Sequence, residues 1–224
     1  MAFLQDLTRF RGTGETNRRG QDLETFLEGY DPRKYDCPSN TVDMLVFRSR
    51  ETWCSPDQPL RLLMIRRSNH PSIGFWALPG GFVEIREDLS EAARRELFEE
   101  TGVHDIPLVQ LRTWGEVARD PRWRVITTSY LALVEGDLPV KAGDDAADAA
   151  WFDVSLEGNG PEYSLQLTCE ERNVQLSARV RRDIFRKGIL ADEKYQLLSS
   201  EGIANDHASL IVQAILYLRE QCNK

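Results

Sequence analysis

The sequence predicts an α+β fold built around a mixed β-sheet. Two strand-like apolar runs, at 41–47 and 60–65, come first, a helical pattern follows over 89–101, and further strand-like runs come after it. This order of elements is typical of α+β folds, since alternating βαβ units would separate every pair of strands by a helix. The chain has 224 residues, of which 41% are hydrophobic and 29% charged, so it is large enough for a substantial core.

The first forty residues differ in character from the rest. Residues 1–40 are mostly polar and predict an N-terminal appendage with one short helix between Asp22 and Tyr30, followed by a main domain over 41–224. Asp6 and Arg9 interrupt the apolar run that a secretory signal needs, and no stretch reaches about 18 apolar residues. We therefore expect a cytoplasmic protein that does not enter a membrane.

The second half of the chain is rich in strand patterns. Runs at 109–118, 123–134 and 149–154 continue the predicted sheet, and three further strand-like pieces lie within 155–200. We interpret 155–200 as an insertion or as an extension of the sheet. Apolar residues at three- and four-residue steps then predict a final helix over 205–219 that packs on the sheet.

The helix predicted over 89–101 has clear ends and an unusual charge pattern. Asp88-Leu89-Ser90-Glu91 has the form of a capping box, and Gly102 is suited to end the helix. Its carboxylates Glu96, Glu99 and Glu100 fall within an arc of about 100°, beside the apolar stripe and not opposite it. A solvated acidic face would lie opposite that stripe, so the pattern favours a bound cation.

The chemistry of this segment points to a hard divalent metal. Seven acidic and three basic residues lie between Gly81 and Val103, in a chain of net charge −8. Oxygen ligands without histidine or thiolate select Mg²⁺, or Mn²⁺, and such a metal recruits phosphate oxygens. Glu87 precedes the helix closely enough to reach the same place, and the Gly80-Gly81 pair lets a carbonyl oxygen approach. The negative charge disfavours nonspecific binding to nucleic acid.

These residues form a pattern that resembles a known family. Gly81, Glu87, Arg95-Glu96-Leu97, Glu99-Glu100 and Gly102-Val103 match every fixed position of the Nudix box. The resemblance extends to the flanking segments 75–81, 119–122 and 142–147 and to Asn205-Asp206-His207. Together they are similar to the ADP-ribose pyrophosphatase-like branch of the Nudix hydrolase superfamily.

The resemblance implies a fold, a reaction and a set of roles. The fold is an α/β/α sandwich around a mixed sheet. The reaction is the Mg²⁺-dependent hydrolysis of the diphosphate in a nucleoside diphosphate linked to another moiety, with ADP-ribose as the first substrate to test. The implied metal ligands are Gly81, Glu87, Glu96, Glu99 and Glu100, and the implied catalytic residues are Glu96, Arg95 and Glu99. Many relatives are homodimers, so we expect a homodimer.

Two points remain open in the sequence. The general base is either Glu96, which we favour, or an acidic residue of the loop that contains Asp144, Asp145 and Asp148. The substrate is either hydrolysed or only sensed, because the same fold also serves regulators that bind ADP-ribose. The complete set of glutamates favours hydrolysis.

Aromatic and basic residues after the helix predict where the substrate binds. Trp114 and Trp123 are suited to stacking a base, and Arg119 and Arg122 lie between them and are suited to holding phosphates. Strand tryptophans more often pack in a core, which is the competing interpretation for both.

Overall fold

A computed structural model describes residues 3–56, 58–143 and 146–222, and it divides the chain into two compact units, Met1–Cys37 and Pro38–Lys224. The first unit contains a 3₁₀ turn, Thr8–Phe10, and the short helix α1, Leu23–Glu28. The Asp22 side chain caps α1 by accepting a hydrogen bond from the Thr25 N–H at 2.9 Å.

In its described residues, the second unit contains ten strands and two α-helices. In chain order these are β1 Ser39–Ser49, β2 Arg61–Arg67, β3 Trp76–Ala77, β4 Gly80–Phe82, α2 Leu89–Thr101, β5 Val109–Trp114, β6 Val125–Glu135, β7 Ala146–Glu157, β8 Glu162–Cys169, β9 Val174–Lys187, β10 Leu190–Glu201 and α3 His207–Cys222. A 3₁₀ turn, Glu170–Arg172, joins β8 to β9.

All ten strands belong to one mixed sheet. Its main order is β10-β9-β8-β7-β2-β1-β6-β5, with β3 paired to β2 and β4 paired to β1. The β1 strand runs parallel to β6 and antiparallel to β2 and β4. The predicted α+β class with a mixed sheet is therefore confirmed. The predicted strand pieces within 155–200 form β8, β9 and β10, which extend the sheet beyond β7.

The central strand β1 is covered on both faces. Val42, Met44 and Val46 pack with the apolar residues of α2, whereas Leu45 and Phe47 pack with those of α3. Successive side chains of a strand point to opposite faces, so a strand covered by helices on both sides reads as a continuous apolar run. This double burial explains the uninterrupted sequence 44–47.

The final helix is enclosed by the sheet. Every residue of α3 from His207 to Leu216 is buried, and the helix packs against β1, β8, β9 and β10. The two edge strands, β5 and β10, approach each other beside it. We call this line of approach the seam, formed by Arg112 and Trp114 of β5 with Glu193 and Tyr195 of β10.

Side chains close the seam. The Arg112 guanidinium donates a hydrogen bond to the Glu193 carbonyl oxygen at 2.6 Å, and the rings of Trp114 and Tyr195 have centroids 6.0 Å apart. The same guanidinium lies 5.3 Å from the centre of the Trp114 ring. This stack of cation and rings holds the two edges together.

In the described ranges, no helix is both long enough and apolar enough to cross a membrane.

Candidate active site

A cleft of about 330 Å³ lies where β4, α2, the loop after β5 and the start of α3 meet. The carboxylates of α2 line one side of it, and the backbone of Gly80 and Gly81 lines the next. The opposite side is formed by Arg119, Asp120 and Arg122 from the loop, with Asn205 and His207 from the segment that opens α3.

The helix that carries the carboxylates begins and ends at the predicted residues. The capping box at Asp88 is present, and the Asp88 N–H donates to the Glu91 carboxylate at 3.1 Å. Gly102 adopts a left-handed conformation with φ of 71°, which glycine accepts without strain, and its N–H bonds the Phe98 carbonyl. The caps fix the ends of the helix, and the packing of its apolar face against the sheet directs the carboxylates toward the cleft.

Arg95 is the centre of the carboxylate cluster. Its guanidinium donates to both oxygens of Glu87, at 2.8 and 2.9 Å, to Glu96 at 2.8 Å and to Glu99 at 3.0 Å. It also donates to the Phe82 carbonyl at 3.0 Å. Arg95 therefore joins the loop before α2, the helix itself and β4 in one hydrogen-bonded network, and it lowers the pKa of Glu87.

Two carboxylates of the cluster are buried more deeply. Burial raises the pKa of Glu100 to about 8, and the negative charges of Glu96 and Asp43 add to the effect. Burial likewise raises the pKa of Glu96, against the opposing influence of Arg95. Both side chains are largely withdrawn from water, with 14% of Glu96 and 7% of Glu100 exposed, so negative charge there is costly without a nearby cation.

The two glycines of β4 allow the backbone to approach the cluster closely. A Cβ atom at Gly81 would lie 2.4 Å from the Glu96 carboxylate, and one at Gly80 would lie 2.2 Å from the Val42 carbonyl oxygen. The Gly80 N–H donates to Glu100 at 2.8 Å. A side chain at Gly81 would push β4 away from α2, and one at Gly80 would push it away from β1, so both positions require glycine.

The structure also brings to the cleft polar residues to which sequence reasoning gave no role, and three of these are Asp43, His207 and Asn205. Asp43 accepts a hydrogen bond from the Thr127 hydroxyl at 2.6 Å, and its other oxygen lies 3.7 Å from Nε2 of His207. The Leu78 N–H donates to Nδ1 of His207 at 2.9 Å, which places the proton of a neutral imidazole on Nε2. An aspartate inside the apolar run of β1 was the available signal for Asp43.

The two predicted phosphate-binding arginines both line the cleft, and both have acidic partners. Arg119 is buried and donates to the two oxygens of Asp206 at 3.0 and 3.1 Å. Arg122 donates to Asp120 at 3.1 and 2.8 Å and lies above the Phe82 ring. Arg122 keeps 45% of its side chain exposed, so it is the more accessible of the two.

The two predicted stacking tryptophans lie elsewhere. Trp114 is 3% exposed and donates to the Ser129 hydroxyl, and it borders a second cavity next to the cleft. Trp123 is 56% exposed and is not among the described residues that line the cleft. The proposed role of Trp123 in binding stays a prediction.

Of the three candidate bases near the acidic loop, the structure describes Asp148. Asp144 and Asp145 lie outside the described residues. Asp148 belongs to β7, where Arg172 donates to its two oxygens at 2.7 and 3.2 Å and lowers its pKa. Asp148 does not line the cleft as described, whereas Glu96 does.

The residues of the cleft fit a divalent metal by their chemistry. The donors gathered there are carboxylates and backbone carbonyls, the ligands that hard cations prefer. Gly81 leaves the space against Glu96 that a side chain would otherwise fill. Among the described residues, no three acidic, histidine or cysteine side chains already stand in a coordinating arrangement. Arg95 instead supplies the positive charge that holds Glu87, Glu96 and Glu99.

The family of the chain follows from its sequence as well as from this geometry. The NUDIX domain model matches residues 39–163, and the protein belongs to the Nudix family. The "ADPR responsive transcriptional repressor NtrR" of Acinetobacter baylyi is 41% identical over 114 residues, which are 50% of this chain and 43% of that protein. The "ADP-ribose pyrophosphatase" of Methanocaldococcus jannaschii is 46% identical over 98 residues, 42% of this chain and 56% of that protein. The matched region thus spans about half the length of these relatives.

Solved structures show the same fold. A MutT/nudix family protein from Enterococcus faecalis superposes with a TM-score of 0.66 and 32% identity, over 90% of this chain and 71% of that one. The NUDIX domain of Shewanella oneidensis NrtR, solved as a complex with ADP ribose, superposes with a TM-score of 0.61 and 26% identity, over 88% of this chain and 99% of that one.

Proposed function

We propose that this protein is a metal-dependent pyrophosphohydrolase that cleaves the diphosphate of a nucleoside diphosphate linked to another moiety, with ADP-ribose as the first substrate. The observation that carries the proposal is the set of four carboxylates on and before α2. Arg95 holds Glu87, Glu96 and Glu99 together, and Glu96, Glu99 and Glu100 line the cleft. The similarity to an ADP-ribose pyrophosphatase supports the choice of substrate.

The side chains of the cleft divide the work between them. Glu87, Glu96, Glu99 and Glu100, with the Gly81 carbonyl, would hold Mg²⁺ or Mn²⁺. The metal when bound neutralises the diphosphate and stabilises the charge that develops on its oxygens. Glu96 is our choice of general base, since it lines the cleft and accepts a hydrogen bond from Arg95 that fixes its position.

Three other residues position this machinery or the substrate. Arg95 orients the carboxylates by bonding three of them at once. Arg122 is exposed enough to meet a phosphate oxygen, and Arg119 fixes the loop to α3 through Asp206. We infer that Arg122 contacts the substrate directly and that Arg119 positions the loop.

A direct assay tests the proposal. The protein is incubated with ADP-ribose, NADH, diadenosine polyphosphates and nucleotide sugars, with Mg²⁺, Mn²⁺ or EDTA, and the products are separated by chromatography. We expect AMP and ribose 5-phosphate from ADP-ribose with metal and none with EDTA. Metal binding without cleavage of any substrate would contradict the proposal. Hydrolysis in ¹⁸O-labelled water then identifies the phosphorus that is attacked.

A second candidate function has a specific observation in its favour. The 41% identity to a transcriptional repressor that responds to ADP-ribose supports a sensor that binds the nucleotide without cleaving it. An electrophoretic shift assay at physiological salt, with and without ADP-ribose, separates the two functions. Ligand-dependent DNA binding without AMP formation would favour the sensor. A cytoplasmic location and a homodimer stay predictions, and concentration-dependent sedimentation tests the latter.

A further inference from the structure

A second cavity of about 690 Å³ opens at the seam, beside the carboxylate cleft. Arg119 and Asn205 line both cavities, so the two are contiguous. The second cavity, which we call the seam chamber, lies within the range of about 300–1,000 Å³ that is usual for small-molecule sites.

The seam chamber is built in part by strands outside the region that the family model matches. That match ends at residue 163, whereas the β9–β10 hairpin contributes Asp183, Phe185, Lys194 and Tyr195 to the lining. The remaining wall comes from β5, the loop after it and the first turn of α3. The hairpin therefore adds a compartment to the cleft of the family domain.

The chemistry of the lining suits a flat ring with polar edges. Phe185 lines the chamber while 59% of its surface is exposed, so its face is open to a ligand. Trp114 and Tyr195 have their polar ends occupied, because Trp114 donates to Ser129 and the Tyr195 hydroxyl donates to Glu193 at 2.6 Å. Their rings are almost fully buried in the seam, so they form an apolar wall, and Phe185 is the ring exposed enough for a ligand to stack on. Glu116 and Gln196 provide hydrogen-bonding groups at the margins.

The cleft and the seam chamber share the lining residues Arg119 and Asn205. A ligand that occupies both cavities must therefore have its groups in a fixed order. Arg119 is held by both oxygens of Asp206, so it forms a fixed boundary with the carboxylate cleft on one side and the seam chamber on the other. A diphosphate in the cleft would present its attached nucleoside to this boundary. The ring of that nucleoside is the group that reaches the aromatic residues.

We propose that the seam chamber binds the nucleobase of the substrate and that Phe185 provides its stacking surface. The assignment rests on the proposed function, because it is the diphosphate in the carboxylate cleft that leads the base into the chamber. Stacking on an aromatic face tolerates different bases, so the chamber favours nucleotides over sugar phosphates more strongly than it favours one base over another.

Equilibrium binding tests the chamber without relying on catalysis. Isothermal titration in millimolar Mg²⁺ compares AMP with ribose 5-phosphate, which lacks the base, for the wild type, Phe185→Ala, Phe185→Tyr and Ile189→Ala. Ile189 is a matched control, since it is fully exposed on the same hairpin and does not line the chamber as described. Both positions are exposed, so these variants keep the fold.

We expect AMP to bind at least about tenfold more tightly than ribose 5-phosphate to the wild type. Phe185→Ala lowers the affinity for AMP about tenfold and leaves the affinity for ribose 5-phosphate unchanged. Phe185→Tyr and Ile189→Ala retain the wild-type affinities for both ligands. AMP affinity within about twofold of wild type in Phe185→Ala overturns the assignment, as does wild-type protein that binds AMP no more tightly than ribose 5-phosphate.

Hydrolysis of ADP-ribose by the same variants separates this assignment from the proposed function. Wild-type protein that binds AMP through Phe185 but cleaves nothing would refute the hydrolase and support the chamber. Wild-type protein that cleaves ADP-ribose, with the same KM in Phe185→Ala, would refute the chamber and support the hydrolase.

Discussion

The two long helices of the domain share one sheet but serve opposite purposes. α2 packs a narrow apolar stripe, including Ala92, Ala93 and Leu97, against one face of the sheet and directs its carboxylates into a cleft. α3 lies on the other face and is buried along most of its length.

The difference comes from the shape of the sheet around each helix. Strands cover only one side of α2, so its remaining surface is available for charge. On the other face, β8, β9 and β10 extend the sheet until the edges of β10 and β5 meet at the seam, and this encloses α3. We therefore expect substitutions on α2 to affect the proposed chemistry and substitutions on α3 to affect stability.

The largest expected effect concerns the chemistry on α2. Glu96→Gln should lower kcat for ADP-ribose hydrolysis by roughly a thousandfold, because it removes a proposed metal ligand and the proposed base together. Steady-state kinetics measures this, with circular dichroism to show that the variant is folded. A variant that keeps more than about a tenth of the wild-type kcat would contradict the assignment.

The buried carboxylate of α2 should make the metal-free protein sensitive to pH. The pKa of Glu100 rises from its ordinary value of 4.5 to about 8 on folding, so the folded state binds its proton more tightly than the unfolded state. Stability is therefore full below about pH 4.5 and falls as the pH rises through 8, by several kcal/mol at about 1.4 kcal/mol per pKa unit.

Urea unfolding in EDTA at about pH 5 and pH 9 tests this sensitivity in the wild type and in Glu100→Gln. The glutamine keeps the acceptor for the Gly80 N–H and cannot ionise, so most of the pH dependence should disappear. An equal loss of stability in both proteins would show that Glu100 is not its source.

Substitutions in the enclosed helix α3 should lower the stability of the protein and leave catalysis unchanged. Ile211→Ala, at a fully buried position of α3, should lower the free energy of unfolding by about 3 kcal/mol through the cavity it leaves. Tyr217→Ala is a matched control on the same helix, since that side chain is 37% exposed, and it should cost less than about 1 kcal/mol. Equal costs at the two positions would mean that α3 is not enclosed.

The smallest expected effect lies outside both helices. Asp148→Asn should lower kcat by less than about threefold, because Arg172 holds that carboxylate on β7 and away from the cleft. Kinetics beside Glu96→Gln decides between Glu96 and Asp148 as the base. A loss of more than about a hundredfold in Asp148→Asn would move that role from Glu96 to Asp148.

Local sequence signals predicted both ends of α2 but only the approximate position of α3. The capping box and Gly102 predicted Leu89–Thr101 at both ends. α3 was predicted over 205–219 and extends over His207–Cys222, since apolar periodicity locates a helix but does not fix its ends. The short strands β3 and β4 carried no signal, because two or three residues around glycines become strands only through their partners in the sheet.

The residues of the candidate site likewise fall into two groups, those that a local sequence pattern predicts and those that only the folded structure brings together. The Nudix box predicted the carboxylates and Arg95, because they lie close together in sequence on one helix and its preceding loop. Asp43 and His207 are separated by more than half the chain and meet only when β1 and α3 pack on the same sheet. The seam chamber depends on the curl of the whole sheet, which no segment of the sequence encodes alone.

The seam has a mechanical consequence for the molecule. In the described part of the chain, the edges of β5 and β10 meet through side chains, without a ladder of main-chain bonds between them. Side-chain rotamers change far faster than paired strands separate. The sheet around α3 therefore opens most easily along the seam. A bulky ligand can separate β5 from β10 at the seam while every strand keeps its hydrogen-bonded neighbours.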